Sequence, residues 1–278
     1  MTKVAVLVAT SNQRTHWLES RCLRSVYSQH GVDPGAVSVV VVDDNSEPAE
    51  YANVETAVSR LRLTLKLPDT ALRTHVMRNA RTRGHSGTGA WNTGLEFLSD
   101  HSGVRADYVA ILDDDDEYEP THLANCLAAA RPDVIGVFER LAWVRAGVAQ
   151  VHELTAADLK REAFFVGNPG IQGSNLFVRA DALAAIGGFD EALPNTTDRD
   201  LMIRLLGHAA LSGGRFAVLP SVGVRYFDHD SYRVNTDIAR KHRGLDLFYA
   251  KHRVDFSDEH LRASLERAYR LFGYRGMQ

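Results

Sequence analysis

Lysine is scarce in this chain, with 5 residues against 27 arginines among 278, and the net charge is only −3. No global basic field therefore marks a nucleic-acid binder, and no nucleic-acid partner is expected. The arginine excess suits bidentate contacts to phosphate or carboxylate; it fits a bias of genome composition equally well. Cysteine is scarcer still. Cys22 and Cys126 form no ligand-spacing motif, which excludes a disulfide framework and a cysteine-based metal module. Both are expected as reduced thiols on helices of a cytoplasmic protein. No apolar run approaches the ~20 residues of a membrane span. Met1-Thr2-Lys3 leads straight into a strand pattern, not a signal peptide. Cytoplasmic location is expected, with peripheral membrane contact left open. There is no internal repeat, no low-complexity linker, and no Gly-Lys-Ser/Thr at P-loop spacing. What remains, 45% hydrophobic and 24% charged, is the composition of a soluble globular protein, long enough for one large α/β domain or a domain with an appendage.

The most informative stretch is Val109-Ala110-Ile111-Leu112-Asp113-Asp114-Asp115-Asp116. A buried apolar run ends in four carboxylates, just before a helical pattern from Thr121. Open α/β sheets bind ligands at that edge, and hard cations such as magnesium take oxygen ligands they share with substrate phosphates. One or two aspartates would serve as helix caps. Four adjacent like charges repel unless a cation or a basic group compensates them.

Two earlier runs end in the same way. Val4 to Val8 leads to Thr10-Ser11-Asn12, and Val37 to Val42 leads to Asp43-Asp44-Asn45-Ser46, with a helix predicted from about Thr15 to Gln29 between them. Repeated strand–helix units predict a parallel, nucleotide-binding type of sheet. Asp44 is placed to accept a hydrogen bond from a base or a ribose; a capped turn into a helix over about Ala49 to Arg60 is the simpler reading. Leu61, Leu63, Leu65 and Leu67 alternate, which predicts a half-exposed strand, and another short strand is expected at Thr74 to Met77. The segment from Arg78 to Ala90 is rich in arginine (Arg83 among them), glycine and hydroxyl residues before a helix, a combination that draws anions. Beyond the tetrad come a hairpin over Val134 to Leu154, a strand at Leu176 to Val178, a helix from Ala180 to Ile186, and a helix opening on Thr197-Asp198-Arg199-Asp200. There Thr197 or Asp198 would cap, Asp200 would pair with Arg204, or an exposed carboxylate would act as general base. His229 stands between two carboxylates, and two helices fill about Thr236 to Gly273.

Taken in order, these pieces resemble family 2 glycosyltransferases with the GT-A fold. The likeness is carried by Ala9-Thr10-Ser11-Asn12, Val42-Asp43-Asp44, Gly84 to Gly94, Asp113 to Asp116, Gly173-Ser174-Asn175, Ile186 to Glu191, Thr197 to Leu201, and the late His229. The resemblance implies a Rossmann-like, mixed but mainly parallel sheet with flanking helices, a transferase domain over 1–233 and a C-terminal helical extension over 234–278. It implies metal-assisted, inverting sugar transfer from a UDP-, GDP- or dTDP-sugar. Thr10, Asn12, Asp44, Arg83, Asp113, Asp114 and Arg233 would contact the nucleotide sugar. Asp115, Asp116 and His229 would hold Mn2+ or Mg2+, and Asp198 would be the base. Two positions depart from the family pattern: Trp91 stands where an arginine is usual, and Thr197 replaces the glutamate of a Glu-Asp pair. The acceptor is a glycan, a lipid-linked glycan or a small molecule, and the terminal helices offer a homodimer contact or a cap on the core. A sugar-phosphate nucleotidyltransferase is the main rival, disfavoured because Ala9-Thr10-Ser11-Asn12 has no glycine. A non-catalytic sugar-nucleotide or glycan-binding module is the other, disfavoured by the intact Asp113, Asp115 and Asp198.

Overall fold

The valine-rich runs become strands because both faces of each find a hydrophobic layer. In the computed structural model, which describes residues 1–79, 81, 87–99, 103–228 and 237–276, the chain runs as follows. Strand β1 is Val4–Thr10, followed by helix α1 over 15–27 with a π-helical turn at Leu18–Leu23. Next come β2 (Val37–Asp43), α2 (Pro48–Thr64), β3 (Arg73–Arg78), α3 (Thr88–Ser99), β4 (Tyr108–Asp113), β5 (Glu117–Tyr118) and α4 (His122–Ala129). The hairpin β6 (Val134–Arg145) and β7 (Val148–His152) precedes α5 (Arg161–Val166), β8 (Phe177–Arg179) and α6 (Ala180–Ala185). The chain closes with α7 (Thr197–Ser212), β9 (Arg215–Phe227), α8 (Ile238–His252) and α9 (Asp258–Phe272).

The strands form one mixed sheet in the order β3-β2-β1-β4-β8-β6-β9-β5, with β7 beside β6. The four-strand block from β3 to β4 is parallel, and Ala9 pairs with both Val42 and Asp113. The polar ends of β1, β2 and β4 therefore lie side by side. Alternate residues face two cores. Leu7, Val40, Val42, Val109 and Ile111 point to one layer, and Val4, Val6, Val8, Val39, Val41 and Leu112 to the other. Burial on both faces is why these segments read as unbroken apolar runs.

The predicted strand through Leu61 to Leu67 is corrected. The preceding helix runs on to Thr64 because Leu61, 1% exposed, completes the buried stripe of Val54, Ala57 and Val58. Leu63 is 78% exposed, so the alternation had no sheet face behind it. The chain leaves the helix through Lys66 at φ 54. Strand β5, helix α5 and the 13-residue β9 were not anticipated; β9 packs as a parallel neighbour of β6.

Helix α3 crosses β1 at Gly94, where an added Cβ would lie 2.1 Å from Leu7 Cδ1. Gly94→Ala is expected to cost about 1–3 kcal/mol by overpacking, against a helix-propensity gain of about 1 kcal/mol. Urea denaturation, reading the midpoint at unchanged slope, checks it.

Helices α8 and α9 dock on the rest of the chain. Leu245, Phe248 and Tyr249 are buried, Tyr249 Oη lies 2.9 Å from Ser264 Oγ, and Lys251 Nζ lies 2.6 Å from Asp190. No described helix is long and apolar enough to cross a membrane.

Candidate active site

Because β1, β2 and β4 end together, Thr10, Asp44 and Asp113 to Asp115 line one cleft of about 780 Å³. Its other side is made by the start of α7, by α8 and α9, and by the hairpin residues Trp143 and His152.

The four aspartates diverge at the turn after β4. Asp114 is 2% exposed and faces Arg14, whose Nε donates at 2.7 and 2.9 Å to its two oxygens. Arg14 Nη2 also reaches Asp115 at 2.8 Å. The basic group that four carboxylates require is thus in part supplied by the chain. Burial works against the Arg14 charge, but Asp114 and Asp115 more than offset it and raise its pKa. Asp116, 1% exposed, turns inward and accepts from Ser174 Oγ at 2.6 Å and from the Phe227 amide at 2.9 Å. Burial, with Asp115 and Asp113 adding repulsion, holds its pKa well above the usual carboxylate range. Asp113, whose amide takes a 3.1 Å bond to Ser174 Oγ, keeps an edge open to the cleft. Burial pushes it up to about 7, with Asp115, Asp114 and Asp198 contributing and Arg14 opposing.

Oxygens of Asp113, Asp115 and Asp116 lie within 4.8 Å of one another. Three hard oxygen donors this close, two of them with raised proton affinity, form a donor set suited to a divalent cation. His122, Cys126 and Glu139 also cluster, but all are buried at 0% exposure. Glu139 there is held by His122 Nδ1 at 2.6 Å, by Asn125 at 2.9 Å and by Ser221. This reads as a closed structural pair.

Across the cleft, Asp198 sits in the first turn of α7. The turn before it is strained: Thr196 adopts φ 65, a region that β-branched residues avoid. Burial pushes the Asp198 carboxyl up to about 7, with Lys241 opposing. Its neighbour Asp200, 0% exposed, faces away from the cleft into a basic nest. Arg204 lies at 2.7 Å, Lys251 at 2.6 Å and His252 Nε2 at 2.9 Å. The predicted i,i+4 pair with Arg204 is present.

Asp44 lines the cleft, its Oδ1 accepting at 2.7 Å from Asn79 Nδ2. Asn12 is exposed and accepts from the Glu47 amide at 3.0 Å, tying the loop after β1 to the loop after β2. Trp91 is 4% exposed and walls the cleft against Phe189, with ring centroids 4.8 Å apart. An added Cβ on Gly173 would come within 2.9 Å of its ring. Arg83, His229 and Arg233 lie outside the described residues.

The family model described as Glycosyl transferase family 2 matches residues 6–183. The chain belongs to glycosyltransferase family 2. Solved structures agree on the fold of this family 2 glycosyltransferase. The mannosyltransferase PcManGT from Pyrobaculum calidifontis, in complex with GDP-Man and Mn2+, is 22% identical with TM-score 0.60, covering 96% of this chain and 69% of that one. S. aureus TarS 1–349, in complex with UDP-GlcNAc, is 18% identical with TM-score 0.66, covering 97% and 73%. A search of curated proteins gave no match. The sheet of this transferase is the expected mixed, mainly parallel GT-A sheet with flanking helices.

Sequence reasoning missed Arg14, Lys241 and Arg267 at the cleft. Lys241 carried a signal: it falls one helical turn before Leu245, on the apolar stripe of α8, where a lysine has no packing reason to be.

Proposed function

We propose that the cleft binds a nucleoside-diphosphate sugar along the ends of β1, β2 and β4 and transfers its sugar, with inversion, to an acceptor hydroxyl presented beside Asp198. One observation carries this reading. The carboxylate cluster of Asp113, Asp115 and Asp116 at the strand ends and the Asp198 carboxyl at the start of α7 meet at one cleft. The complexes of PcManGT with GDP-Man and Mn2+, and of TarS with UDP-GlcNAc, support a nucleotide sugar as donor.

In this reading Thr10 and Asp44 receive the nucleoside, and Asn12 holds their loops together. Asp114 acts by fixing Arg14 at the cleft wall. Arg83 and Arg233, with His229 toward the metal, keep the donor-side roles that the resemblance gave them. Asp113 and Asp115, backed by Asp116, would hold Mn2+ or Mg2+, which supplies positive charge opposite the departing diphosphate. Asp198 takes the proton of the acceptor hydroxyl as its oxygen bonds to the anomeric carbon. The bond from that carbon to the diphosphate oxygen breaks, and the diphosphate leaves with the electron pair. Attack from the face opposite the leaving group inverts the centre. A base with a pKa near 7 is matched to this task at neutral pH. The division into 1–233 and 234–278 is kept with one refinement: the extension is part of the cleft, through Lys241 and Arg267.

Calorimetric titration with UDP, GDP and dTDP, with and without manganese, tests the donor side. One diphosphate should bind in a manganese-dependent way, and Asp115→Ala should weaken it at least tenfold. Failure of all three nucleotides to bind under any condition would sink the donor site and return the acidic turn to a structural role.

A further inference from the structure

The cleft is electrically asymmetric. Asp44, Asp113, Asp114 and Asp115 line one side, and Arg14 offsets two of them. The other side carries Arg199, Arg240, Lys241 and Arg267. None of these four cations forms an ion pair with a carboxylate among the described residues. Neutral groups hold Arg199 and Lys241 instead. Arg199, 6% exposed, donates to the carbonyls of Phe164 at 2.9 Å and Phe165 at 2.5 Å and lies 4.3 Å from the centre of the Phe248 ring. Lys241, 8% exposed, places Nζ 4.8 Å from the centre of the Phe272 ring. Arg240 has a buried Nε with no hydrogen-bond partner. Arg267 lies against Gly167, where an added Cβ would meet its Nε at 2.9 Å.

Cations crowded in this way raise one another's cost. Burial brings Lys241 down to about 8, with Arg199 and Arg267 adding to the fall. Burial likewise brings Arg199 down to about 10. Asp198 attracts Lys241 without pairing with it, and one carboxylate balances at most one of four charges. Among the described residues no further carboxylate offsets these cations, and a bound anion would supply the missing charge.

We propose that this wall, formed by Arg199, Arg240, Lys241 and Arg267, binds a phosphate or carboxylate group of the acceptor, so that the acceptor is an anionic molecule. Assigning the anion to the acceptor rests on the proposed function; the anion site itself does not. The wall lies on the side of Asp198, while the acidic turn and its cation would serve the donor diphosphate. A planar guanidinium grips oxyanions in two places and an ammonium adds a point charge, so the group fits a tetrahedral phosphate or a carboxylate.

Inorganic phosphate is the probe. It is titrated calorimetrically into wild type, Lys241→Met and Arg267→Gln, first in the ligand-free proteins and then with the nucleoside diphosphate and Mg2+ at saturation. Phosphate should bind the nucleotide-loaded wild type, and each variant should weaken it by about tenfold or more, with nucleotide affinity unchanged. Arg267 is partly exposed, so Arg267→Gln decides the matter if Lys241→Met fails to fold. Equal phosphate binding by wild type and Arg267→Gln, displacement of phosphate by the nucleotide, or a parallel loss of nucleotide affinity would each overturn the proposal. If no nucleotide binds the wild type, the donor reading fails separately, and the ligand-free titrations still decide the anion site.

Discussion

Asp198→Asn is expected to slow sugar transfer by about two to four orders of magnitude while leaving nucleotide binding intact. The amide keeps the shape of the side chain and cannot take a proton. Because burial pushes this carboxyl up to about 7, kcat/KM of the wild type should fall about tenfold per pH unit below that point. The Asn variant should lose this acid limb. Stability should move the other way. A carboxyl whose folded pKa lies above its unfolded value contributes stability that is complete below about 4 and is lost as pH rises toward 7. The Asn variant should therefore be at least as stable as wild type at pH 8, the trade-off seen where a group is held for chemistry. Release of nucleoside diphosphate, followed between pH 5 and 9 alongside thermal melts, checks both. A wild-type acid limb that persists unchanged in the variant would remove Asp198 as the base.

Asp200→Asn, two residues away, should do the reverse. Its carboxylate is fully buried and holds Arg204, Lys251 and His252, so it joins α7 to α8. Breaking a buried pair from one side leaves unpaired cations and costs about 3–5 kcal/mol. Although burial opposes its charge, His252, Arg204 and Lys251 hold its pKa far below the usual carboxylate range. The contribution is therefore present above about pH 4 and lost as pH falls below it. Guanidinium unfolding of wild type and variant should show nearly the same gap at pH 7 and pH 4, and a narrower one at about pH 2–3. A variant as stable as wild type at pH 7 would show that the nest does not hold the C-terminal helices in place. Together the two substitutions separate adjacent roles on one helix turn, one turned to the cleft and one to the core.

Much of this architecture was legible because it is local. Val4 to Val8, Val37 to Val42 and Val109 to Leu112 are runs that only a two-sided sheet buries, and their polar ends followed from where the runs stop. Asp198 and Asp200 stood out as carboxylates at a helix start, and the Asp200–Arg204 pair followed from helical spacing alone. The Leu61 to Leu67 segment misled because four alternating leucines match a strand as well as a helix end. The buried stripe of Val54, Ala57, Val58 and Leu61 settled it.

The sequence by itself determined the parallel strand block, the acidic turn at its edge and the family. Each depends on short-range pattern: apolar runs, their termini and motif order. Tertiary structure decided which aspartate does what. Adjacent residues of a turn point in different directions, so Asp114 meets Arg14, Asp116 meets Ser174 and Phe227, and Asp113 and Asp115 are left facing the cleft. It also decided the basic wall. Arg199 and Arg267 come from separate helices, and Lys241 and Arg240 from a third. Their electrostatic conflict exists only once the helices pack, because charges far apart along an unfolded chain are screened by water, and burial in one cleft brings them within reach of one another.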